Sequence, residues 1–236
     1  MAARCGAREG RMRALVLACL FALASTPALA QTAPATADEL VADFDQRLAR
    51  GEALVAEIGA LHARDQFLRE LIMAGFQRQM SGETRQAYIG RTRHHFDAMS
   101  AEGTARLSAI LETISWEDLT ALSPRAADQA FSLISHSNDL AFKRRMIAEF
   151  EPLARSGRML GDQVAQLVDD VAVTEGRPQV YGTNFECRDG VYRPKPTEAP
   201  EQLNERRAAL GMNTIEEYTV TIRQMYGECP AGYSGN

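Results

Sequence analysis

The sequence predicts a mainly α-helical domain: a bundle of about six helices, then a small β-hairpin and two short C-terminal helices. Apolar residues recur at helical spacing almost throughout residues 38–175, and the period changes to alternation after Gly176-Arg177-Pro178. Of the 236 residues, 45% are hydrophobic and 24% are charged. These values are ordinary for a globular protein and exclude disordered, collagen-like and low-complexity classes.

The predicted helices follow from stripes of apolar side chains at the i, i+3, i+4, i+7 spacing that buries one helix face. Before these stripes, residues 38–48 and 52–76 predict a pair of helices broken near Gly51. Ser123 and Pro124 are suited to open a helix, because both residue types are favoured at helix N-termini. The stripes lie in residues 107–114, 127–134, 142–153 and 160–171.

The C-terminal part of the chain predicts the hairpin near residues 179–193. Two alternating segments flank Asp189-Gly190, a pair that favours a tight type I′ turn. Three prolines between residues 194 and 200 then predict an extended connector. Each of the two short helices that complete the domain is followed by a glycine, and they span residues 200–210 and 214–226.

The first 30 residues predict a secretory signal peptide. Four arginines precede an apolar run of 11 residues, and a small-x-small site follows, which places the cleavage between Ala30 and Gln31. A membrane anchor is disfavoured because about 20 apolar residues are needed to span a bilayer. Cys19 leaves a lipoprotein as an alternative, and Met12 is an alternative start.

The predicted mature chain is therefore periplasmic or secreted. It has a flexible leader at residues 31–37, a single mainly helical domain at 38–227 and a tail at 228–236. No segment of it is apolar enough to span a membrane. Removing the four arginines and Glu9 with residues 1–30 changes the formal net charge from −5 to −8. An acidic chain is a poor candidate for binding nucleic acid or an anionic membrane surface.

Two cysteines, Cys187 and Cys229, remain after cleavage. In an oxidising compartment they predict one disulfide, with two free thiols as the alternative. The bond would close a loop with a separation of 42 residues and hold the tail from Pro230 onward.

Standard catalytic and cofactor-binding signatures are absent, so no cofactor is predicted. The chain has no glycine-rich phosphate loop, nucleophile elbow, His-Glu-x-x-His or Cys-x-x-Cys motif. His94, His95 and Asp97 are the only cluster with metal-ligand residue types. On a helix, His94 and Asp97 share a face, but His95 is rotated about 100° away from His94, so a solvated face is favoured over a metal site.

Two segments carry candidate site residues. His136 follows an apolar stripe and could act as a general base, or it could bond to free carbonyl groups at a helix C-terminus. The run Gln179-Val180-Tyr181-Gly182-Thr183 is dense in hydrogen-bonding side chains and could approach a ligand closely at its glycine. The alternative is an internal packing motif in which Tyr181 buries its ring.

Residues 175–183, 204–211 and 215–218 resemble an uncharacterised family of bacterial domains of unknown function. That family carries a Gln-x-Tyr-Gly-Thr motif and a later Arg-Arg-x-x-x-Gly-Leu run. The resemblance spans about residues 61–220 and implies a common fold but no known activity. Weaker matches occur in the same order at Asp65-Gln66-x-x-Arg69, Trp116, His136 and Asp169.

This chain departs from the family pattern at four places. The departures are Ser115-Trp116-Glu117 where Gly-Trp-Pro is usual, Asp170 for Arg, Asn184 for Gln and Met212 for Leu. The resemblance nevertheless connects one set of polar residues, which more often marks a site than a core. The set is His136, Asp169, Gln179, Tyr181, Thr183, Arg206 and Arg207.

Two functions are therefore considered. The first is a module that binds a small anionic ligand or a protein partner, because arginine pairs suit carboxylate and phosphate groups. Its binding residues would be Gln179, Tyr181, Thr183, Arg206 and Arg207. The second is a hydrolase-like enzyme with His136 as general base, in which a carboxylate orients the imidazole and a hydroxyl holds the developing charge. Its partner residues would be Asp169 or Asp139 and Tyr181 or Thr183.

Overall fold

The computed structural model describes residues 36–76 and 80–229. The chain divides into two compact units, residues 1–43 and 44–236. In the first unit, Thr36 caps the start of a helix, because its hydroxyl accepts the backbone N–H of Glu39 and its own N–H donates to the Glu39 carboxylate. That helix begins at Ala37, inside the predicted leader. The predicted signal peptide, its cleavage site and the tail from residue 230 onward lie outside the described residues.

The predicted fold class is confirmed. Six helices come first, a two-stranded antiparallel hairpin follows, and two short helices end the described chain. The elements are α1 (Ala37–Phe76), α2 (Gly82–Leu111), α3 (Trp116–Leu122), α4 (Pro124–His136), α5 (Leu140–Arg155), α6 (Gly161–Thr174), β1 (Phe185–Arg188), β2 (Val191–Pro194), a 3₁₀ turn (Pro200–Gln202), α7 (Leu203–Ala209) and α8 (Ile215–Tyr226). Within the described residues, no helix is both long enough and apolar enough to cross a membrane.

The break predicted near Gly51 is wrong, since α1 runs through it as one helix of 40 residues. A glycine inside a helix costs only about 1 kcal/mol relative to alanine, which neighbouring turns can offset. Gly51 also has a packing role. A Cβ at this position would lie 3.0 Å from the Leu122 side chain, so the glycine leaves room for that leucine to approach α1.

The helix starts follow the predicted capping pattern. Ser123 is the N-cap of α4 and its hydroxyl accepts the backbone N–H of Ala126, while Pro124 occupies the first turn. Asp139 is the N-cap of α5 and accepts two backbone N–H groups at 2.9 and 3.0 Å. The Asp139 carboxylate is thereby committed to starting a helix.

The predicted apolar stripes of α4, α5 and α6 form the core. Ile134, Phe150 and Leu167 are almost fully buried where these helices meet. Trp116 of α3 packs on Phe150 with ring centroids 4.5 Å apart. This close-packed core fixes the C-terminal end of α4, where His136 lies, and the positions of Asp169 and Asp170 on α6.

The hairpin is shorter than predicted. Strands β1 and β2 pair from Phe185↔Pro194 to Arg188↔Val191, and the turn between them has φ values of 53° and 79° at Asp189 and Gly190. Positive φ at both positions is the geometry of the predicted type I′ turn. Residues 179–184 form a loop instead of a strand, because several of their backbone N–H groups bind a buried side chain, described below, and not a neighbouring strand.

The predicted disulfide is confirmed between Cys187 and Cys229, whose Cα atoms are 5.6 Å apart. It connects β1 to the segment that follows α8. The hairpin and the last described helix are therefore covalently joined.

Candidate functional site

Asp169 on α6 organises the loop of residues 179–184. Its side chain is fully buried. One carboxylate oxygen accepts the backbone N–H groups of Val180 and Tyr181 at 2.7 and 2.9 Å. The other accepts the backbone N–H and the hydroxyl of Thr183 at 2.8 and 2.9 Å. Both oxygens are thus committed to holding this loop against the bundle.

Gln179 begins the same loop and is fully buried as well. Its amide nitrogen donates to the carbonyl groups of Asn184 and Lys195, both at 3.0 Å, and its amide oxygen accepts the N–H of Asn184. Gly182 has φ 69°, and a Cβ there would lie 3.2 Å from Ile215. Gln179 is therefore an internal brace, and the glycine allows the tight turn and the close packing of α8.

Arg206 and Arg207 on α7 complete the loop's support. Arg206 donates to the carbonyl oxygens of Val180 at 2.8 Å and Ala199 at 3.2 Å. Arg207 donates to the carbonyl oxygen of Tyr181 at 2.8 Å. The loop is consequently held by Asp169 through its N–H groups and by the two arginines through its carbonyl groups.

Arg207 is an interior residue, with only 1% of its surface exposed. It also donates to the carbonyl oxygen of Asn213 at 2.6 Å, and its guanidinium lies 4.9 Å from the centre of the Tyr218 ring. Burial lowers the pKa of this arginine. Among the predicted binding residues, the two arginines and Gln179 direct their side-chain donors to backbone carbonyl groups of the protein itself.

His136 belongs to a different group, formed with α1. Its Nδ1 lies 2.6 Å from a carboxylate oxygen of Asp65, which is only 4% exposed. Arg69, one turn further along α1, donates its Nε–H to the two oxygens of the same carboxylate at 3.1 and 3.0 Å. These three residues are called the His136 cluster below. The carboxylate that orients His136 is thus Asp65, and not the expected Asp169 or Asp139.

The electrostatics of the His136 cluster fix the protonation of Asp65. Burial alone would raise the pKa of its carboxyl group, but the hydrogen bonds and charges of His136 and Arg69 outweigh burial and lower this pKa below its ordinary value. An ionised carboxylate can only accept hydrogen bonds, so the imidazole donates from Nδ1. Its Nε2 makes no hydrogen bond to a described residue.

The His136 cluster borders an open cleft of about 720 Å³, called the His136 cleft. Arg69 lies along its wall with its guanidinium 5.4 Å from the centre of the Phe96 ring. Lys143, which is buried, pairs with Asp170 on another wall. The two terminal nitrogens of Arg69 make no hydrogen bond to a described residue. Among the described residues, two guanidinium groups therefore reach the cleft with unused donors. Arg69 is fixed by the buried Asp65, whereas Arg93 is exposed and pairs only with Asp97.

The possible metal cluster on α2 does not assemble. The rings of His94 and His95 contact each other at an angle of 39° with centroids 3.8 Å apart, and Asp97 forms an exposed ion pair with Arg93. Across residues 36–76 and 80–229, no three histidine, cysteine or acidic side chains come together as metal ligands would.

Sequence reasoning identified His136 but not its partners. In the sequence, Asp65 and Arg69 are only weak matches to the family pattern, and no pattern connects Lys143 with Asp170. One signal was available. Asp65 lies seven residues after Ile58 and seven before Ile72, both of which are buried, so a carboxylate interrupts the apolar face of α1.

No curated protein and no solved structure matches the chain. A model of a family of unknown function, DUF6624, matches residues 52–229, which include the His136 cluster and the loop held by Asp169. The match covers more than half of the chain, so the protein belongs to this family of unknown function.

Proposed function

We propose that this protein is an exported domain that binds a small anionic ligand in the His136 cleft. One observation carries the proposal: a single buried carboxylate holds both Arg69 and His136, and each of them keeps side-chain nitrogens unused at an open cleft of about 720 Å³. That volume lies within the range of about 300–1,000 Å³ typical of ligand sites.

The chemistry of Arg69 favours a carboxylate or phosphate group. Its Nε is committed to Asp65, so the guanidinium plane is fixed while its two terminal nitrogens remain available. A planar pair of donors matches two oxygens of one anion. Preorganisation matters because less side-chain entropy is lost when the ligand binds. Lys143 contributes less, since Asp170 already neutralises it.

Calorimetric titration with inorganic phosphate tests this proposal. Arg69→Gln should weaken phosphate binding at least about tenfold, equivalent to about 1.4 kcal/mol. Arg106→Gln is the matched control, because Arg106 is an exposed arginine that pairs with Glu57 and does not line the cleft. Equal affinities for the two variants, or no binding to the unaltered protein, would contradict the proposal.

A second candidate function is hydrolysis with His136 as general base. It is favoured by the ionised Asp65, which keeps the proton on Nδ1 and leaves the Nε2 lone pair to accept a proton. No described serine, threonine or cysteine side chain bonds to this imidazole, so the nucleophile would be water. Water would attack the carbonyl carbon or phosphorus of an ester while Nε2 takes its proton, and Arg69 would stabilise the developing negative charge. The bond to the leaving alkoxide would then break, and Nε2 would return the proton to that oxygen, so that an acid and an alcohol leave.

Hydrolysis of p-nitrophenyl acetate and bis(p-nitrophenyl) phosphate tests this second candidate. His136→Ala should reduce any measured rate by about 10²-fold or more, which is the usual contribution of a general base. His95→Ala, at an exposed histidine of α2, should leave the rate unchanged. Equal rates for the two variants, or no hydrolysis above background, would contradict the hydrolase function and leave anion binding as the proposed function.

Export is proposed from the arginine-rich start, the apolar run and the Ala-Leu-Ala site of residues 1–30. The Cys187–Cys229 disulfide supports it, because such bonds persist in oxidising compartments. The intact mass of the protein purified from the exported fraction of bacterial cells should correspond to a chain that begins at Gln31. A mass that retains the first 30 residues would contradict the proposal.

A further inference from the structure

A second open cleft, of about 730 Å³, lies between the hairpin and α8 and is called the aromatic cleft. Phe185 and Tyr192 of the hairpin line it on one side, and Tyr218 and Tyr226 of α8 line it on another. Phe185 and Tyr218 meet edge to face, with ring centroids 5.6 Å apart. Neither Arg69 nor His136 borders this cleft, so it is a candidate binding site separate from the proposed anion site.

The aromatic cleft is electrically neutral. No lysine or arginine occurs among the described residues that line it. Among the described lining residues, Asp170 is the single acidic one, and it already pairs with Lys143. An anion would find no counter-charge here, and a cation would have to displace a buried lysine from its partner. The chemistry of the cleft therefore selects an uncharged ligand.

Several polar groups of the aromatic cleft are available to a ligand. The side chains of Asn184, Tyr192 and Tyr226 make no hydrogen bond to a described residue. They offer one amide and two hydroxyl groups, which both donate and accept. The hydroxyl of Thr183, by contrast, is already committed to Asp169. A suitable ligand thus combines flat apolar faces with several hydroxyl groups.

We propose that the aromatic cleft binds a neutral saccharide. A sugar ring has an apolar C–H face that can lie on a tyrosine or phenylalanine ring, and hydroxyl groups at its edge that match amide and phenol groups. A neutral extended peptide fits less well, because a peptide that binds as an added strand needs a row of backbone partners. The polar groups available here belong instead to separate side chains of Asn184, the hairpin and α8.

The disulfide gives the aromatic cleft a fixed shape. Cys187 lines the cleft from β1, and its partner Cys229 follows the end of α8, so the bond joins two of the walls. Walls that are already positioned lose little freedom on binding. Ser135 and Asp170 line both this cleft and the His136 cleft, so the two clefts adjoin.

The proposal is tested with three uncharged hexaoses, cellohexaose, maltohexaose and fully N-acetylated chitohexaose, measured by saturation-transfer NMR and calorimetry on the disulfide-bonded protein. At least one of them should bind, and Tyr226→Ala should weaken that binding at least about tenfold. Tyr226→Trp, which keeps an aromatic face, should retain it. Tyr226 is 69% exposed, so the fold should tolerate both changes. Phe67→Ala, at an aromatic residue of α1 that is 63% exposed, is the matched control and should bind as the unaltered protein does.

His136→Ala separates this inference from the proposed anion site, since it should leave saccharide binding unchanged. A neutral Gly-Ser-Leu peptide serves as the competing probe and should not bind. The proposal is overturned if none of the three hexaoses binds, if Tyr226→Ala binds as well as Phe67→Ala, or if the peptide binds in their place.

Discussion

Asp169 should be the most sensitive carboxylate of the domain to a neutral substitution. Its two oxygens accept three backbone N–H groups and one hydroxyl from the loop of residues 179–184, and the side chain is fully buried. Asp169→Asn keeps the shape but replaces one acceptor oxygen with an NH₂ group. The loop presents only donors and one hydroxyl to this position, so the substitution cannot satisfy all four bonds.

The magnitude follows from the bonds that are lost. If the amide oxygen keeps Val180 and Tyr181, the N–H of Thr183 faces another donor and loses its acceptor, which costs about 1–3 kcal/mol. The two retained bonds lose their charged acceptor, and bonds to charged groups are worth roughly 1 kcal/mol more than neutral ones. Because desolvation of a charge is also relieved, we expect a net loss of about 3 kcal/mol. That is a large part of the roughly 5–15 kcal/mol that stabilises a typical domain.

Urea unfolding gives the free energy of unfolding for this comparison. Asp128→Asn is the matched control, because Asp128 is an exposed aspartate on α4, and it should change this free energy by less than about 0.5 kcal/mol. Hydrogen exchange should also accelerate at the amides of Val180, Tyr181 and Thr183 in the Asp169→Asn protein. A loss below about 1 kcal/mol with unchanged exchange would refute the structural role of Asp169.

Three other expectations concern stability measured by urea unfolding. The hydrogen bonds and charges of His136 and Arg69 outweigh the burial of Asp65, so the pKa of Asp65 is lower in the folded chain than in the unfolded chain. The stability that Asp65 adds should therefore be complete above its unfolded-state pKa and should be lost as the pH falls through its folded-state pKa. In Asp65→Asn, the free energy of unfolding should fall less steeply at acid pH than in the unaltered protein. An equally steep fall would contradict the lowered pKa of Asp65. Gly161→Ala should destabilise the fold by about 1–3 kcal/mol, because a Cβ at this position would overlap the backbone carbonyl group of Leu210, which follows α7. Gly103→Ala is the control, because Gly103 of α2 faces open space, and it should be neutral or stabilising by up to about 1 kcal/mol. Equal effects of the two substitutions would contradict this packing. Replacing Cys187 and Cys229 together with alanine should lower the free energy of unfolding by up to about 4 kcal/mol, and no loss would argue against a stabilising disulfide.

Local patterns in the sequence predicted most of the fold. Apolar stripes located the core-facing sides of α4, α5 and α6, because burying one face of a helix requires that period. Ser123-Pro124 and Asp189-Gly190 predicted a helix start and a turn correctly, since both depend on backbone geometry within a few residues. Local patterns predicted a strand at residues 179–184, where the structure has a loop. The backbone N–H groups of this loop bind Asp169, which is 11 to 14 residues away in the sequence, and a pattern within a few residues cannot show that contact.

The candidate site was less predictable for the same reason. Periodicity gives the buried face of α1 but not the helix end that packs against it, so nothing local connects Asp65 with His136, 71 residues later. The family resemblance placed His136, Asp169 and Arg206 in one pattern without separating them. In the structure, Asp169 and Arg206 hold the loop of residues 179–184, whereas His136 belongs to the His136 cluster. The two groups are told apart by the hydrogen bonds that each side chain makes within the protein.

The central claim is that an anion binds beside Arg69 and His136, while Arg206 and Arg207 hold the loop. A map of backbone and histidine-ring NMR shifts during titration with inorganic phosphate tests it directly on the unaltered protein. The account predicts that the largest shifts fall on Arg69 and His136 and disappear in Arg69→Gln. Shifts centred on Arg206 and Arg207, with the His136 ring signals unmoved, would contradict it.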